Sequence, residues 1–295
     1  MTTAIVAGPT ARPLGTADAI RLANRLAEKI TGRSYLSHSQ ISLMRTCPRR
    51  FAFTCVERPP KDFLSSSLLL GGSIHASLEL LFRARLEGLG VTHQALFSAF
   101  HDAWTRQLRD GGDVSVRFNK NENVDTLHAM ADRLLAALTA SPLAAPRGTI
   151  LGVEEELRVV LDPELPDVLA RVDLVTQTDE ALHVVDWKTS RSRWTDQKAL
   201  ESADQLVLYD VTVAKMSTSL GLPVKLHFGI ITKAKTPMVQ ILPVPTDEGR
   251  VAALKESVAG VWEAIQAGNF YPSPSPMTCT TCPFRSRCPV FGGSC

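Results

Sequence analysis

The feature that most constrains this fold is the placement of its cysteines near the two ends of the chain. Cys47 stands alone in the segment Arg-Thr-Cys-Pro-Arg-Arg, whereas Cys279, Cys282 and Cys288 form a C-x2-C-x5-C group close to the C-terminus. In a reducing compartment, clustered cysteines favour metal ligation over disulfide bonds. One soft-metal site that used all four thiolates would tie the two ends together, and the sequence between them would then form one closed unit.

A second arrangement of the same cysteines needs no upstream ligand. Cys295 extends the C-terminal group to C-x2-C-x5-C-x6-C, a four-thiolate pattern that suits a local structural zinc site. Spacing alone does not separate the two arrangements. Cys55 fits neither pattern and is predicted to be a small buried apolar residue.

Composition describes a globular protein of ordinary size. The chain has 295 residues, of which 44% are hydrophobic, which is enough for one large domain or two modest ones with a buried core. The first residues lack the basic flank and apolar run of a secretion signal, and no later stretch is long and apolar enough for a membrane span. We therefore expect a soluble cytoplasmic protein with no membrane partner.

The apolar pattern predicts an α/β fold whose N-terminal half is helical. Helical periodicity predicts helices around residues 20–30, 40–47, 74–82, 94–108, 124–138, 197–216 and 247–267. Ser37 is the predicted N-cap of the second helix, and Gly71-Gly72 is predicted to break the chain before the third. Runs rich in Val, Leu and Ile predict strands at 150–161, 168–176, 182–189, 225–232 and 238–243.

The segment Asp186-Trp187-Lys188 ends one of these predicted strands. A spacing of two places the carboxylate and the ammonium group on the same face of a strand. Asp173 would lie beside them if its own strand pairs with this one as a hairpin. Two carboxylates beside a lysine form a site for a hard cation, with a positive group placed to orient water or to stabilise developing negative charge.

Five short motifs occur in an order that is far more specific than any one of them. They are Gly71-Gly72-Ser73-Ile74-His75, then Val153-Glu154, Arg171-Val172-Asp173, Val185-Asp186-Trp187-Lys188-Thr189, and Gln205 followed by Tyr209 four residues later. This order resembles the RecB-like branch of the PD-(D/E)XK nuclease superfamily, and the similarity extends from Ser37 to Cys288. It implies a restriction-endonuclease-like core, a mixed central sheet flanked by helices, with a helical insertion.

The resemblance also implies a domain organisation. Residues 1–33 would be a flexible leader and a short helix, and residues 34–295 a single nuclease domain. Within this domain, 34–146 would be the helical part, 147–245 the catalytic α/β core, and 246–295 the C-terminal helix with the cysteine cluster.

The resemblance assigns metal ligands residue by residue. His75, Asp173, Asp186 and the main-chain carbonyl of Trp187 would bind Mg²⁺ or Mn²⁺. The catalytic acidic residue would be Glu154, although Glu155 and Glu156 follow it directly and strand alternation sends only alternate members to one face.

Three further residues receive roles in the same way. Lys188 would position the attacking water, while Gln205 and Tyr209 would hold the DNA backbone or support the site. The chain departs from the family pattern at Arg171, which stands where the family usually has glycine two residues before the first aspartate.

The cysteines resemble the iron-sulfur staple of bacterial AddB-type subunits and CRISPR-associated RecB-like nucleases. This similarity implies a 4Fe-4S cluster on Cys47, Cys279, Cys282 and Cys288, since four thiolates are the usual complement of such a cluster. Structural zinc with Cys295 as the fourth ligand stays the alternative.

DNA contacts would depend on local basic groups, because 32 Lys and Arg residues against 30 Asp and Glu residues give a net charge of only +2. Basic residues occur in three runs, at Arg45, Arg49 and Arg50, at Arg191 and Arg193, and at Arg285 and Arg287. The predicted DNA-binding set is Arg49, Arg50, Arg191, Arg193, Gln205 and Tyr209. Trp194 or Phe51 is expected to stack on bases of a single strand.

These features together predict a metal-dependent DNA exonuclease that acts on single strands or DNA ends in repair, recombination, phage DNA metabolism or CRISPR spacer processing. The sequence has no Walker motif, so strand separation would come from a helicase, recombinase or CRISPR integrase partner, or from ends already open. The alternatives are a non-catalytic DNA-end-binding scaffold subunit and a zinc-binding regulatory protein.

Overall fold

The computed structural model describes residues 15–292 of the chain. The helices are α1 (Thr16–Thr31), α2 (His38–Thr46), α3 (Pro48–Phe51), α4 (Ser66–Leu86), α5 (His93–Asp110), α6 (Val124–Ala140), α7 (Asp196–Glu201), α8 (Asp204–Leu220), α9 (Glu248–Gln266) and α10 (Pro276–Thr280). A π-helical turn, Ala52–Glu57, follows α3. Within the described residues, we find no helix with the length and apolarity required to cross a membrane.

Six strands form one mixed sheet, and two short strands pair separately. The strands are β1 (Tyr35–Ser37), β2 (Leu64–Ser65), β3 (Val116–Arg117), β4 (Thr149–Val159), β5 (Asp167–Gln177), β6 (Leu182–Ser190), β7 (Val224–Thr232) and β8 (Val239–Val244). The order along the sheet is β1-β5-β6-β7-β8, with β4 antiparallel to β5. The β6–β7 pair is parallel, and α7 and α8 supply the crossover that such a pair requires.

Helices cover both faces of the sheet. On one face, α1, α2, α8 and α9 pack in a core that includes Ala27, Tyr209 and Trp262. On the other face, α4, α5 and α6 pack against Trp187 and Ile231. The central mixed sheet flanked by helices confirms the predicted α/β class, and α1 belongs to the same core as the nuclease-like region.

Local capping positions Cys47. The Ser37 hydroxyl accepts a hydrogen bond from the Gln40 amide, and the Gln40 side chain accepts one from the Ser37 amide at 2.8 Å. This capping box begins α2 at the predicted point. Cys47 is the C-cap of α2 and the N-cap of α3, with extended backbone between the two helices.

Two predictions of element boundaries are wrong. Gly71-Gly72 does not break the chain, because α4 runs through both glycines and its buried face, with Ile74 and Phe82, outweighs their low helix propensity. A Cβ atom on Gly72 would lie 2.8 Å from Oε1 of Gln107, so close approach of α5 explains that glycine. The predicted helix at 197–216 is two helices, α7 and α8.

A tryptophan and a glycine define the contact between β6 and β7. Trp187 pairs with Gly229 in the parallel ladder, and a Cβ atom on Gly229 would lie 2.5 Å from the indole ring. Phe82 stacks on the indole at a centroid distance of 5.8 Å. Gly229 therefore makes the room in which the Trp187 ring is buried.

Candidate active site and cysteine pocket

The register of the β5–β6 hairpin brings two aspartates together. Leu174 pairs with Val185 in this antiparallel ladder, so the next position places Asp173 opposite Asp186. Both aspartates are buried, with 8% and 0% of their surface exposed. The hairpin expected from the sequence thus places these two carboxylates on neighbouring strands.

Strand β4 brings a third carboxylate to the same place. Its register with β5 places Glu154 opposite Asp173, and the Glu154 side chain is only 12% exposed. Glu155 and Glu156 are exposed, and Glu156 pairs with Arg171 at 2.8 Å. Glu154 has a φ of 53°, which is strained for a residue with a side chain. This unusual backbone directs Glu154, and neither of the two glutamates that follow it, into the cluster.

Helix α4 places His75 against these carboxylates. Its Nδ1 lies 3.6 Å from Oε1 of Glu154 and 3.6 Å from Oδ2 of Asp173. One donor atom from each of the three side chains falls within 4.8 Å of the others. Imidazole nitrogen and carboxylate oxygen together form a donor set that suits divalent cations such as Mn²⁺.

The electrostatics of the cluster favour an added positive charge. Burial, and then the neighbouring Asp186 carboxylate, raise the pKa of Asp173 to about 7. Burial alone would lower the pKa of His75, but the carboxylates of Glu154, Asp173 and Asp186 outweigh it, so that pKa is raised. Neighbouring carboxylates contribute to both shifts, and a bound cation would offset their negative charge.

A chain of polar contacts extends from Asp186 to helix α8. Lys188 Nζ lies 2.7 Å from Oδ2 of Asp186 and donates a hydrogen bond to Oε1 of Gln205 at 2.9 Å. Gln205 Nε2 donates to the Tyr209 hydroxyl at 2.5 Å. The Tyr209 hydroxyl in turn donates to the main-chain carbonyl of Arg171 and lies 3.3 Å from Oδ1 of Asp186. This network fixes the direction in which the lysine points.

Of the two roles predicted for Tyr209, contact with the DNA backbone or support of the site, its burial favours support. It has no exposed surface, and burial raises the pKa of its phenol, as do Asp186 and Asp173. Gln205 is half-buried behind Lys188. Tyr209 therefore supports the site from the core side.

Trp187 contributes its backbone to the cluster. Its amide N–H donates a hydrogen bond to Oδ2 of Asp173 at 2.7 Å. This bond holds the same Asp173 oxygen that lies 3.6 Å from Nδ1 of His75. The role of the Trp187 carbonyl as a ligand stays a prediction.

His38 also lies near this site, and sequence reasoning missed it. Burial lowers its pKa most, followed by the charge of Lys188, while Asp186 and Asp204 oppose the shift. Arg45, at the other end of α2, forms an ion pair with Asp204. The sequence feature that could have identified His38 was its position directly after the Ser37 cap, in the helix that leads to Cys47.

The predicted DNA-binding arginines occupy different environments. Arg49 pairs with Glu57 at 2.7 Å, lies over the ring of Phe53 and keeps only 14% of its side chain exposed. Arg191 and Arg193 are exposed in the loop after β6. Arg49 is thus engaged within the protein, whereas the loop arginines face solvent.

The two aromatic residues expected to stack on bases differ in their exposure. Phe51 has no exposed surface, so the prediction that it contacts a single strand is wrong. Trp194 is half-buried, donates from Nε1 to the Ser190 hydroxyl at 2.9 Å and packs edge-on against Phe228. Phe51 therefore offers no face for a base, whereas stacking on Trp194 stays a prediction.

Four cysteines from the two ends of the chain line a single pocket. They are Cys47, Cys279, Cys282 and Cys288. Ser273 donates its amide N–H to the Cys47 sulfur at 3.5 Å. Cys295 lies outside the described residues, and Cys55 is buried in the core.

The environment of Cys282 reflects this clustering. Burial raises the pKa of its thiol, while the Phe284 amide and Arg50 oppose the increase. Smaller contributions from Cys47 and Cys288 raise it further. Thiols from both chain ends are therefore close enough to interact electrostatically.

A few hydrogen bonds join the two segments around this pocket. Arg49 donates its amide N–H to the Tyr271 carbonyl at 3.0 Å, and Asp62 donates its own to the Pro283 carbonyl at 2.7 Å. Ser286 donates its amide N–H to Oδ2 of Asp62 at 3.0 Å. These contacts bring the chain ends together at single points, without a continuous ladder.

Comparison with known proteins gives one family match. Residues 35–289 match the family model of the PD-(D/E)XK nuclease superfamily. No curated protein matches the sequence.

Solved structures show similarity of fold. The crystal structure of a candidate exonuclease from Eubacterium rectale is 12% identical, covers 91% of this chain and 92% of its own, and superposes with a TM-score of 0.51. The crystal structure of SSO0001 is 14% identical over 78% of this chain and 88% of its own, with a TM-score of 0.32, too low to support an argument.

Proposed function

The chain belongs to the PD-(D/E)XK nuclease superfamily, and on this premise we propose that it is a Mg²⁺- or Mn²⁺-dependent deoxyribonuclease that degrades single-stranded DNA or DNA ends. The observation that carries the proposal is the cluster of His75, Glu154 and Asp173 donor atoms within 4.8 Å, beside Asp186 and Lys188. We propose a preference for ends for two reasons. The order of the sequence motifs resembles that of RecB-like nucleases, and the Eubacterium rectale protein with a similar fold is a candidate exonuclease.

The residues present fit a divalent cation. Asp173, Glu154 and His75 supply oxygen and nitrogen donors, and burial followed by the neighbouring Asp186 carboxylate raises the pKa of Asp173 to about 7. Asp186 lies on the adjacent strand, with its Oδ2 in contact with Lys188 at 2.7 Å. A bound cation would supply a Lewis acid for the phosphoryl oxygen and for the attacking water.

Lys188 is placed to orient the nucleophile. Its ammonium group has three N–H donors, of which a hydrogen bond to Gln205 directs one, and its charge pairs with the Asp186 carboxylate at 2.7 Å. A further N–H donor would serve the attacking water or a phosphoryl oxygen. Because Gln205 and Tyr209 fix the lysine, it stabilises developing charge with little reorganisation.

The cysteine pocket is proposed to hold a 4Fe-4S cluster on Cys47, Cys279, Cys282 and Cys288. All four thiols line one pocket, and both chain ends contribute, which suits a single group bound across them. The cluster would link the ends of the nuclease domain, away from the chemistry. Zinc bound locally with Cys295 is the competing assignment, and analysis of iron, acid-labile sulfide and zinc distinguishes the two.

The direct test is an assay with end-labelled single- and double-stranded DNA in Mg²⁺, Mn²⁺ or chelator. The wild type should cleave only with a divalent cation, and Asp186→Asn should remove cleavage. Glu256→Gln is the matched control, since Glu256 is an exposed carboxylate on α9. Product ladders report polarity and distinguish release from ends from internal cleavage.

Two outcomes would overturn the proposal. Cleavage by Asp186→Asn at the wild-type rate would remove the assigned site. DNA binding without cleavage in either metal would identify a scaffold subunit, which could serve a helicase, recombinase or CRISPR integrase complex.

A further inference from the structure

Two cavities adjoin one another along α4 and α5. The first has a volume of about 190 Å³ and is lined by His75, Glu154 and Arg106 among others. The second, of about 250 Å³, is lined by residues that include Lys61 and Leu68. The first opens on the candidate active site, and the second lies beside the C-terminal segment.

Shared lining residues connect these cavities into one path. Gln107 lines both. Arg50 lines the second cavity and also the cysteine pocket. We call this path the α4–α5 groove and define it by His75, Arg106, Gln107, Leu68, Lys61 and Arg50. It leads from the catalytic carboxylates to the edge of the cysteine pocket.

The wall between the cavities is fixed by Gln107. Its Nε2 donates to the Ser73 hydroxyl at 2.9 Å and to the Leu69 carbonyl at 3.2 Å. Gly72 leaves room for the Gln107 amide, and nothing lies within 4 Å of a Cβ atom placed on Gly71. The groove therefore has a rigid wall and an open helix surface next to the active site.

Three of the cations that line the groove have no carboxylate partner among the described residues. Within residues 15–292, Arg50, Lys61 and Arg106 form no ion pair, whereas Arg171 pairs with Glu156. Asp110 is an acidic residue in the second cavity. Unpaired cations in a groove that opens on a phosphodiesterase site provide contacts for a polyanion.

Acidic residues do not cancel this charge. Glu79 lines the first cavity and pairs with Arg83 at 2.9 Å, outside the groove. The second cavity contains Arg50 and Lys61 against Asp110 alone. The groove thus offers net positive charge on the side away from the catalytic carboxylates.

Apolar side chains between the cations favour a single strand over a duplex. Leu68 is 70% exposed and lines the second cavity with Leu64 and Phe63. A single strand presents the apolar faces of its bases, whereas a duplex hides them in the stack. A groove lined by both cationic and apolar side chains therefore matches a strand whose phosphates and bases are both accessible.

We infer that the α4–α5 groove binds one strand of nucleic acid, with phosphates on Arg106, Lys61 and Arg50 and with a base against Leu68. This inference rests on the proposed nuclease function, because the strand would begin at the catalytic carboxylates. The affinity for a single strand should increase with its length until the strand reaches Arg50.

A variant that cannot cleave allows strand binding by the groove to be measured separately from catalysis. Asp186→Asn protein in chelator is titrated into fluorescent oligothymidylates of increasing length, and anisotropy gives the affinity at several salt concentrations. Arg106→Ala and Lys61→Ala, added to this variant, should each weaken binding of long strands about three- to tenfold. Each should also reduce the slope of log affinity against log salt concentration by about one. Shorter strands should lose less with Lys61→Ala.

Matched controls remove the same charges elsewhere. Arg109→Ala changes an exposed arginine one turn from Arg106, and Lys215→Ala changes an exposed lysine on α8. Both should leave the affinity unchanged. Circular dichroism checks that every variant is folded.

The outcomes separate this inference from the nuclease proposal. Three results would overturn the inference that the groove binds a single strand. They are equal weakening of binding by the control variants, equal affinity for duplex, and an affinity that does not depend on strand length. Failure of the wild type to cleave DNA in Mg²⁺ or Mn²⁺ would overturn the nuclease assignment, while the chelator titrations would still decide whether the groove binds a strand.

Discussion

The candidate active site and the cysteine pocket are assembled in different ways. Asp173, Asp186 and Glu154 lie on three adjacent strands, so continuous backbone ladders fix their separation. Cys47 and the C-terminal cysteines come from distant segments joined by a few hydrogen bonds. The first site keeps its geometry through the sheet, whereas the second has no such ladder and would be held together by the proposed cluster.

The largest expected effect is on the cysteine pocket. Cys47→Ser should lower the free energy of unfolding by about 5 kcal/mol, because a clip that closes so long a loop contributes most of its stabilisation through the unfolded chain. Denaturant titration of anaerobically purified protein measures the change, and iron content should fall with it. Cys295→Ser is the control, and loss of metal and stability in that variant instead would make the site a local zinc knuckle.

The second largest expected effect is on the candidate active site and should leave the cysteine pocket unchanged. Lys188→Met should reduce DNA cleavage about 10²- to 10³-fold, since it removes a preorganised positive group from the transition state. The iron content should stay at the wild-type value, because the lysine has no contact with the cysteine pocket. Lys198→Met, which changes an exposed lysine on α7, should leave cleavage unchanged. Loss of iron in Lys188→Met would show that the two sites are coupled.

Divalent cations should stabilise the protein by binding at the candidate active site and not at the cysteine pocket. At about 100 times its dissociation constant, Mn²⁺ should raise the free energy of unfolding by about 2.7 kcal/mol. Asp173→Asn should lose most of this increase, because it removes one of the clustered carboxylates, whereas Cys47→Ser should retain it. Thermal unfolding with Mn²⁺ and with chelator measures the difference, and an undiminished increase in Asp173→Asn would contradict the metal assignment.

The smallest effect concerns the support behind Lys188. Tyr209→Phe leaves Nε2 of Gln205 and the Arg171 carbonyl without the phenol hydroxyl, and should cost about 1 to 2 kcal/mol of stability. Cleavage should fall about tenfold, as expected for a residue that acts through the one it orients. Tyr35→Phe changes a half-buried tyrosine on β1 and is the control. Full activity in Tyr209→Phe would mean that the lysine needs no such support.

The sequence predicted the features that depend on short-range pattern. Strand periodicity located the hairpin that pairs Asp173 with Asp186, and the Ser37 cap located the start of α2. Both follow from interactions between residues that are near in sequence or in register. For the same reason the helices predicted at 94–108 and 124–138 lie close to the observed α5 and α6, whereas α4 begins well before its predicted start.

Features set by distant packing were not predictable. The positive φ of Glu154 has no local signature, and neither does the contact between Gly72 and Gln107 on another helix. The burial of Tyr209 and Phe51 depends on the whole core. Local pattern identifies which residues are present at a site, but only the packed fold determines which of them a substrate reaches.

The Trp187–Gly229 contact limits how this site could be transferred to another scaffold. Asp186 and Lys188 flank a ring that requires a neighbouring strand without a side chain at the paired position. An engineer who grafts the three-residue segment onto a different sheet must also graft Gly229. Otherwise the indole has no place in the new core, and the strand that carries both functional groups would be displaced.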